Sequence, residues 1–397
     1  MKHRILLVGE DQPLWHEFEA QASGADSDWT VEYARSGPEA LAFLERFDFA
    51  AAVADVQLSD MSGLDLLDEI MRRQPKALRI ILSDFADTSS TLTCIGRGHH
   101  HVIKPCDAPT LLNALNQGLA LETWLPSEAV QSLIAQMRRV PSPPQLYFQI
   151  ALELQSPDAS VERVGELIAQ DPAITAKVLQ LANSAVFGLQ LQVTHPVEAT
   201  SYIGLETIKA LVLLSHTFSS FEKLRVHGFS VEALWRHSLL TGQSARRIAQ
   251  SENSSVELAE QAFAAGLLHD IGKLLFAANM PGLFVEALAV AREQQRSFWE
   301  VESQVLGACH AELGACLLGI WGLPAPILEG VALHHDPNRT LQPGFSPLTA
   351  VHVANILEHE MRPDASVTIS DALDLQYLND LGLDGRIEEW RSSFLAE

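Results

Sequence analysis

A histidine and an aspartate stand side by side in the segment from Gly266 to Lys273, which reads Gly-Leu-Leu-His-Asp-Ile-Gly-Lys. On a helix, Lys273 would share a face with His269, four residues before it. Neutral imidazole and carboxylate are good ligands for Mn²⁺, Fe²⁺ or Zn²⁺, and the adjacent His269 and Asp270 can present both to one ion. A single buried histidine is more often a hydrogen-bonded core residue, but further histidines fall in the same predicted helical region. They are His237, His310, His334 and His335.

A second set of reactive side chains lies near the N-terminus, where predicted strands end. Glu10 and Asp11 follow the first strand, Asp55 follows the third, Ser83 ends the fourth, and Lys104 follows the fifth. In an open parallel sheet, ligands bind beyond the carboxyl ends of the strands. Clustered carboxylates with one lysine suit a Mg²⁺ ion and an aspartyl phosphate, because the metal takes oxygen ligands and the lysine offsets phosphoryl charge.

Short apolar runs that alternate with helical patterns must position this second set. The predicted strands are Ile5–Val8, Thr30–Tyr33, Phe49–Ala54, Arg79–Leu82 and His101–Ile103. Alternation of this kind implies a doubly wound, flavodoxin-like α/β domain with a five-stranded parallel sheet.

The strand signal disappears from about Leu121 onward, and the Pro-rich stretch from Val140 to Pro144 is a clear boundary. We therefore predict a multidomain protein with an α/β domain at 1–121 and a helical connector with its Pro-rich boundary at 122–144. An all-helical domain would follow at 145–343, and a C-terminal helical extension at 344–397. The best helix of that extension is predicted over Thr349–Glu360.

Composition and charge exclude several classes of function. The net charge is −23, from 50 acidic and 27 basic residues, and such a surface repels the phosphates of nucleic acid. No segment has the pattern of a signal peptide or a membrane span. The four cysteines form no Cys-x-x-Cys pair and are typical of buried thiols in a reducing compartment. We expect a cytoplasmic protein that binds neither nucleic acid nor membranes.

Residues 3–121 resemble a response-regulator receiver domain. The resemblance rests on the loop Asp-Val-Gln-Leu-Ser-Asp-Met-Ser-Gly that begins at Asp55, on Ser83, and on the Lys104-Pro105 pair. It implies that Asp55 is the phosphoacceptor and that Mg²⁺ binds Glu10, Asp11 and Asp55. Ser83, His101 and Lys104 would form the switch that senses the phosphoryl group.

Three positions depart from the receiver pattern. Gly9 stands where the first acidic residue usually stands, Ser59 replaces the usual proline, and His101 replaces the usual switch aromatic. Loss of a carboxylate should weaken Mg²⁺ binding. We therefore predict that an aspartate restored at position 9 tightens it.

The histidine set resembles the HD superfamily of metal-dependent phosphohydrolases, whose ligand order is His, His-Asp, Asp. His237 would match the first ligand, and His269 and Asp270 the pair. Lys273 would match the lysine that lies near these ligands. The resemblance extends to the HD-GYP branch, which hydrolyses cyclic di-GMP and has additional histidines that His310, His334 and His335 would match. Asn355 occupies the position of the final aspartate, and no Gly-Tyr-Pro follows the paired histidines. An amide is a weaker partner for a divalent cation than a carboxylate.

A more extensive resemblance, from about Pro141 to His335, is to HDOD domains. It rests on the segment from Leu167 to Ser184, which contains Gln-Asp-Pro-Ala-Ile, and on Tyr202–Lys209. HDOD domains are relatives of HD phosphohydrolases that generally lack a competent metal centre and act in bacterial signalling. Asp171, Asn183 and Ser184 would then start helices or form buried polar structure.

Together these resemblances predict a two-component response regulator. A sensor histidine kinase would phosphorylate Asp55, and a non-catalytic HDOD domain would change its contacts with a protein partner, in a chain able to form a homodimer. With Asn355 leaving Asp270 as the only charged ligand, we expect no divalent metal and no enzyme activity in the HDOD domain. The alternatives are a metal-dependent phosphohydrolase of the cyclic di-GMP phosphodiesterase kind, regulated by the receiver, and a pocket that binds a nucleotide without hydrolysing it.

Overall fold

The computed structural model describes residues 3–22, 29–84, 100–104, 106–124, 130, 133–134, 137, 139–141, 143–155, 159–183, 192–340, 343–361 and 372–395. Contacts within the chain define two compact units. The first comprises residues 1–140 with 316–325, and the second comprises residues 141–315 with 326–397.

The first unit contains a parallel sheet with helices. The strands are β1 (His3–Val8), β2 (Trp29–Ala34), β3 (Ala51–Asp55), β4 (Leu78–Asp84) and β5 (His100–Lys104). They pair in parallel in the order β2-β1-β3-β4-β5. The helices are α1 (Gln12–Ala22), α2 (Gly37–Leu44), α3 (Gly63–Arg73) and α4 (Ala108–Trp124). The α/β architecture agrees with the sequence prediction.

Alternate residues of β1 face two separate apolar cores. Ile5 and Leu7 belong to one core, and Leu6 and Val8 belong to the other. All four side chains are fully buried. Successive side chains of a strand point to opposite faces, so a strand covered on both faces requires a continuous apolar run. The reactive side chains of this unit therefore lie at the strand ends.

The predicted connecting helix from Leu121 to Val140 falls largely outside the described residues. Within them, α4 ends at Trp124, and Val130, Leu133 and Ile134 are helical. The next helix with defined bounds begins at Gln145, directly after Pro144. The connector stays a prediction.

The rest of the chain folds into helices. Those before the paired histidines are α5 (Gln145–Gln155), α6 (Val161–Ala169), α7 (Pro172–Ala182), α8 (Pro196–Ile203), α9 (Leu205–Ser220), α10 (Val231–Ser251), α11 (Val256–Leu268), α12 (Ile271–Asn279), α13 (Pro281–Gln294), α14 (Phe298–Val305), α15 (His310–Ile320) and α16 (Ala325–Ala332). A 3₁₀ turn at Pro337–Arg339 follows, and then α17 (Pro347–Met361), α18 (Leu375–Asp380), a second 3₁₀ turn at Asp384–Arg386 and α19 (Ile387–Leu395).

The polar residues of the HDOD-like motif organise helix ends. The Asp171 side chain accepts hydrogen bonds from the backbone N–H groups of Ala173 and Ile174, at 2.9 and 3.1 Å, and so caps α7 as predicted. Asn183 ends that helix, and its amide bonds both the N–H and the carbonyl of Val193. Ser184 lies outside the described residues.

Glycines bring the histidine-bearing helices into backbone contact. A Cβ atom on Gly266 of α11 would lie 2.8 Å from Cα of Gly242 on α10, and one on Gly272 of α12 would lie 2.0 Å from the carbonyl oxygen of His310. Both approaches are closer than side chains allow. The crossing at Gly242 and Gly266 places His237, one to two turns earlier on α10, beside the end of α11.

The C-terminal extension packs on the helices that precede it. The helix predicted over Thr349–Glu360 runs from Pro347 to Met361. Further on, Trp390 is buried, and its indole N–H donates to Glu252 at the end of α10. The extension is therefore part of the same helical unit.

No single helix among the described residues has the length and apolar character needed to cross a membrane. One pair, Phe298–Val305 with His310–Ile320, meets the criteria of length and composition together, with a bend of 77° between its members.

We predict that Gly272→Ala destabilises the helical unit by about 3 kcal/mol or more, because a methyl group cannot fit against the His310 carbonyl without a backbone shift. Gly282→Ala is the matched control, since a Cβ there meets nothing within 4 Å and alanine favours a helix by about 0.5–1 kcal/mol. Urea unfolding followed by circular dichroism measures both changes. Equal stability of the two variants would contradict the packing argument.

Candidate functional site

Three of the predicted receiver residues meet at the carboxyl end of the sheet. The Lys104 Nζ atom lies 2.5 Å from Oδ1 of Asp55 and 3.6 Å from Oδ2 of Asp11. Ser83 is buried near the end of the neighbouring strand, where it pairs in register with Ile103. Asp55 is thus held by a cation at the edge where a phosphoryl group would bind.

The Lys104 ammonium keeps its charge in this position. Burial disfavours the charged form, but the hydrogen bond and the negative charge of Asp55 outweigh it and raise the pKa of Lys104 above its usual value. Lys104 therefore remains a cation at neutral pH, as a counter-ion for a phosphoryl group requires.

The other predicted receiver residues are less closely assembled. Glu10 is exposed, and within the described residues Glu10, Asp11 and Asp55 do not form a group of three possible metal ligands. The side chain of His101 and the whole of Pro105 lie outside the described residues. Binding of Mg²⁺ to Glu10, Asp11 and Asp55 stays a prediction.

Gly9 has a role that the sequence comparison with receivers did not reveal. Its φ angle is +149°, and a Cβ atom there would lie 2.3 Å from Oδ2 of Asp55. Position 9 therefore requires glycine for two reasons: the backbone has a positive φ angle, and the Asp55 carboxylate leaves no room for a side chain. This geometry conflicts with the prediction that an aspartate at position 9 tightens Mg²⁺ binding. The Cβ atom of that aspartate would displace the Asp55 carboxylate.

We predict that Gly9→Ala and Gly9→Asp both slow the phosphorylation of Asp55 by about tenfold or more, because backbone strain of this kind costs about 1–3 kcal/mol. Labelling by a small-molecule phosphodonor with Mg²⁺ measures the rate. The alanine variant separates steric from charge effects. Faster labelling of Gly9→Asp than of the parent would instead support the missing-carboxylate interpretation.

The second site is centred on Asp270, at the junction of α11 and α12. His269 ends α11, Asp270 precedes the first turn of α12, and His237 comes from α10. His310 begins α15, and His334 follows α16. Asp270, His269 and His334 have no exposed surface, and His310 and His237 have 1% and 7%. The structure therefore brings together the histidines that the sequence singled out.

Imidazole nitrogens surround the Asp270 carboxylate. Its Oδ1 lies 3.0 Å from Nε2 of His310, 3.4 Å from Nε2 of His269 and 4.0 Å from Nε2 of His334. Its Oδ2 lies 3.7 Å from Nε2 of His237 and 2.6 Å from Nζ of Lys273.

These side chains form two groups of possible metal ligands that share Asp270. One group is His237, His269 and Asp270, and the other is Asp270, His310, His334 and His335. Within each group the ligand atoms lie within 4.8 Å of one another. A shared carboxylate between two sets of imidazoles can hold one or two divalent ions.

Two of the inward-facing histidines place their other ring nitrogen against a backbone carbonyl. Nδ1 of His269 lies 2.7 Å from the carbonyl oxygen of Gly266, and Nδ1 of His334 lies 2.8 Å from that of Val331. Because a carbonyl oxygen only accepts hydrogen bonds, Nδ1 carries the proton and Nε2 presents a lone pair. His334 Nε2 has no hydrogen-bond partner among the described residues.

Two glutamates that the sequence analysis did not identify hold the remaining pair of histidines. Nδ1 of His310 lies 2.5 Å from Oε2 of Glu302, and Nδ1 of His237 lies 2.6 Å from Oε2 of Glu358. Glu302 is fully buried, and Glu358 is 8% exposed. Glu358 is 121 residues from His237, which hid that contact, although Glu358 falls one helical turn after Asn355. Glu302 is only eight residues from His310, but it lies on the preceding helix.

Family comparison identifies the two units. A model of the response regulator receiver domain matches residues 5–116, and a model of the HDOD domain matches residues 140–337. The chain is a receiver–HDOD protein.

Curated relatives match the receiver–HDOD protein over part of their length. A Treponema pallidum protein without an assigned function is 25% identical over 197 residues, which is 50% of this chain and 38% of the relative. The acid tolerance regulatory protein ActR of Rhizobium meliloti is 31% identical over 115 residues, 29% of this chain and 59% of ActR. The chain thus covers less than two thirds of each relative.

Two solved structures share the fold of the helical unit. An HDOD domain protein of Geobacter sulfurreducens has a TM-score of 0.52 and 22% identity, covering 69% of this chain and 97% of its own. A Shewanella amazonensis protein, whose name suggests a phosphohydrolase, has a TM-score of 0.51 and 22% identity, covering 67% and 94%.

Three histidines of the site, His237, His334 and His335, are held neutral while Asp270 is held charged. Burial lowers the pKa of His237 to about 3, and burial together with neighbouring histidines holds the pKa values of His334 and His335 well below their usual range. Burial alone would raise the pKa of Asp270, but its electrostatic interactions with His269 and with Lys273 outweigh burial and hold that pKa well below its usual range. Neutral imidazole and ionised carboxylate are the states that bind metals.

We predict that acid destabilises the HDOD domain. Burial lowers the pKa values of His237 and His359 to about 3, against about 6.5 in an unfolded chain. Because the unfolded state takes up protons first, the stability from these groups is complete above about pH 6.5 and is lost as the pH falls toward 3. Each such histidine removes up to about 1.4 kcal/mol per pH unit. His310 works in the opposite direction, because Glu302 outweighs burial and raises its pKa.

Urea unfolding of chelator-treated protein at pH 7.5 and pH 5.5 measures this loss. His227→Ala, which removes an exposed histidine, should leave the pH dependence unchanged. Equal stability at the two pH values would show that the buried histidines are already protonated in the folded state.

Proposed function

We propose that this protein is a response regulator in which a histidine kinase drives phosphorylation of Asp55, and the HDOD domain passes the signal on by its contacts with a partner protein. The contact between Asp55 and Lys104 supports the receiver part, because it pairs the acceptor carboxylate with a charged counter-ion. The likeness to ActR, named as a regulatory protein, supports the same class of function.

We also propose that the HDOD domain contains a divalent metal centre. The observation that carries this proposal is the spacing of nitrogens around Asp270. Nε2 of His237 lies 3.1 Å from Nε2 of His269, and Nε2 of His335 lies 3.0 Å from Nε2 of His310. Two nitrogens about 2.1 Å from one ion, at angles of about 90–110°, are about 3.0–3.4 Å apart.

The donor set fits a metal in two further respects. Lone pairs of neutral imidazoles repel at this spacing unless a cation or a proton lies between them, and the depressed pKa of His237 disfavours the proton. His334 directs a buried Nε2 at Asp270 with no hydrogen-bond partner among the described residues. An ion would satisfy these groups. This proposal replaces the expectation, based on Asn355 alone, that the domain binds no metal.

The residues that would hold the ion are the two ligand groups that share Asp270. A bound divalent ion would supply Lewis acidity toward a phosphate oxygen. Lys273, 2.6 Å from Asp270, holds that carboxylate in its charged form. The carbonyls of Gly266 and Val331 keep His269 and His334 in the ligating tautomer.

Hydrolysis of a phosphoester is the second candidate function. The buried lysine beside the ligand carboxylate favours it, because Lys273 could also stabilise phosphoryl charge. The name of the Shewanella amazonensis protein points the same way. Asn355 in place of a carboxylate, and the absence of Gly-Tyr-Pro after His335, favour the non-catalytic regulator.

We expect a small-molecule phosphodonor to label the full-length protein at Asp55 in a Mg²⁺-dependent reaction. Asp55→Asn should abolish labelling, whereas Asp48→Asn, which alters an exposed carboxylate of the same unit, should not. Intact-protein mass spectrometry reports the added phosphoryl group. Labelling that survives Asp55→Asn would place the acceptor elsewhere.

We expect the purified protein to contain at least about one equivalent of Fe, Mn or Zn per chain, and His269→Ala to lose most of it, since that residue is a fully buried ligand candidate. Elemental analysis gives the content, with His227→Ala as the control. A metal-free parent that also fails to bind added Mn²⁺ or Zn²⁺ would refute the centre. Hydrolysis of cyclic di-GMP by the parent, lost in His269→Ala, would select the enzyme over the regulator.

A further inference from the structure

Asn355 and Glu358 lie on one face of α17 and both reach His237. They are three residues apart, so their side chains project from neighbouring positions of the helix. The Asn355 amide lies close to the His237 ring, and Oε2 of Glu358 lies 2.6 Å from Nδ1 of His237. Asn355 is 3% exposed and Glu358 is 8% exposed.

This arrangement puts a carboxylate behind His237 while an amide lies beside it. A carboxylate that accepts the Nδ1 proton of a ligating histidine fixes the ring and raises its basicity as a ligand. It also brings a negative charge close to the ion without direct coordination. Burial of both side chains strengthens this electrostatic effect, because little water screens it.

We propose that Glu358 supplies, through His237, the negative charge that a carboxylate at position 355 would supply directly. Glu358 is then a positioning residue for the metal centre, and this inference rests on the centre proposed above. The lack of a carboxylate at position 355 then no longer argues against metal binding, because Glu358 neutralises the charge of the ion together with Asp270.

The second ligand group, which contains His310, also has a histidine whose Nδ1 faces a buried glutamate. Oε2 of Glu302 lies 2.5 Å from Nδ1 of His310 and accepts the backbone N–H of the same residue at 3.1 Å. His269 and His334 face neutral backbone carbonyls instead. Each of the two groups therefore contains one histidine held by a carboxylate, His237 in the first and His310 in the second.

The test compares the affinities of full-length variants for Co²⁺ and Zn²⁺, by chelator competition and by the visible absorption of bound Co²⁺. Glu358→Gln should weaken binding about 10- to 100-fold, the usual effect of losing such a supporting residue. Asn355→Asp combined with Glu358→Gln should restore most of the affinity, because a charge returns one helical turn away. Glu329→Gln is the control, since Glu329 is equally buried and bonds Thr340.

The outcomes separate this inference from the metal centre itself. A parent protein that binds neither ion refutes the centre. A parent that binds, with Glu358→Gln binding equally well, refutes only the role of Glu358, as does a weakened Glu358→Gln that the added aspartate does not restore. If Glu358→Gln alone does not fold, the double variant decides. Recovery of folding and metal binding in the double variant supports the proposal that Glu358 replaces the charge of a carboxylate at position 355. A double variant that does not fold or bind metal shows that Glu358 serves packing alone.

Discussion

The buried charge of Asp270 is the constraint on which the helical unit depends. An isolated carboxylate with no access to water costs several kcal/mol unless nearby groups compensate it. Lys273 provides one compensating charge, and the imidazoles of His269 and His310 approach the same carboxylate. These groups come from α11, α12, α15 and their ends. The helices must therefore cross closely for the charge to be compensated, so the fold and the site impose the same requirements on the sequence.

Glycines at the helix crossings satisfy that requirement. Gly242 and Gly266 let α10 and α11 meet backbone to backbone, and Gly272 lets α12 meet the start of α15. A larger residue at any of these positions would meet backbone atoms at 2.0 to 2.9 Å and force the helices apart. Small residues that are not themselves ligands thus help to set the distances among His237, His269 and His310, which explains why the ligands alone do not define the site.

The sequence predicted the parts of the molecule that local patterns encode. Apolar runs located the strands that carry Asp55 and Lys104, and the His269–Asp270 pair with its additional histidines located the second centre. Contacts between helices left no local signal. Glu358 and His237 are 121 residues apart, and Glu302, eight residues before His310 on another helix, matched no sequence motif. Gly9 was interpreted as a lost carboxylate, because pattern comparison cannot show a φ angle of +149° or a neighbour at 2.3 Å.

Both units pair an aspartate with a lysine, yet the surroundings give the pairs different chemistry. The Asp55 side chain is 13% exposed and that of Lys104 is 23% exposed, so a phosphodonor can approach them. The Asp270 side chain is 1% exposed and is enclosed by imidazoles whose pKa values are depressed. A buried site with neutral imidazole donors favours a bound metal ion over transfer of a phosphoryl group. Neutral imidazoles bind a cation without first losing a proton. Under the functions proposed above, the receiver pair would undergo reversible covalent change, whereas the HDOD pair would form a permanent electrostatic centre.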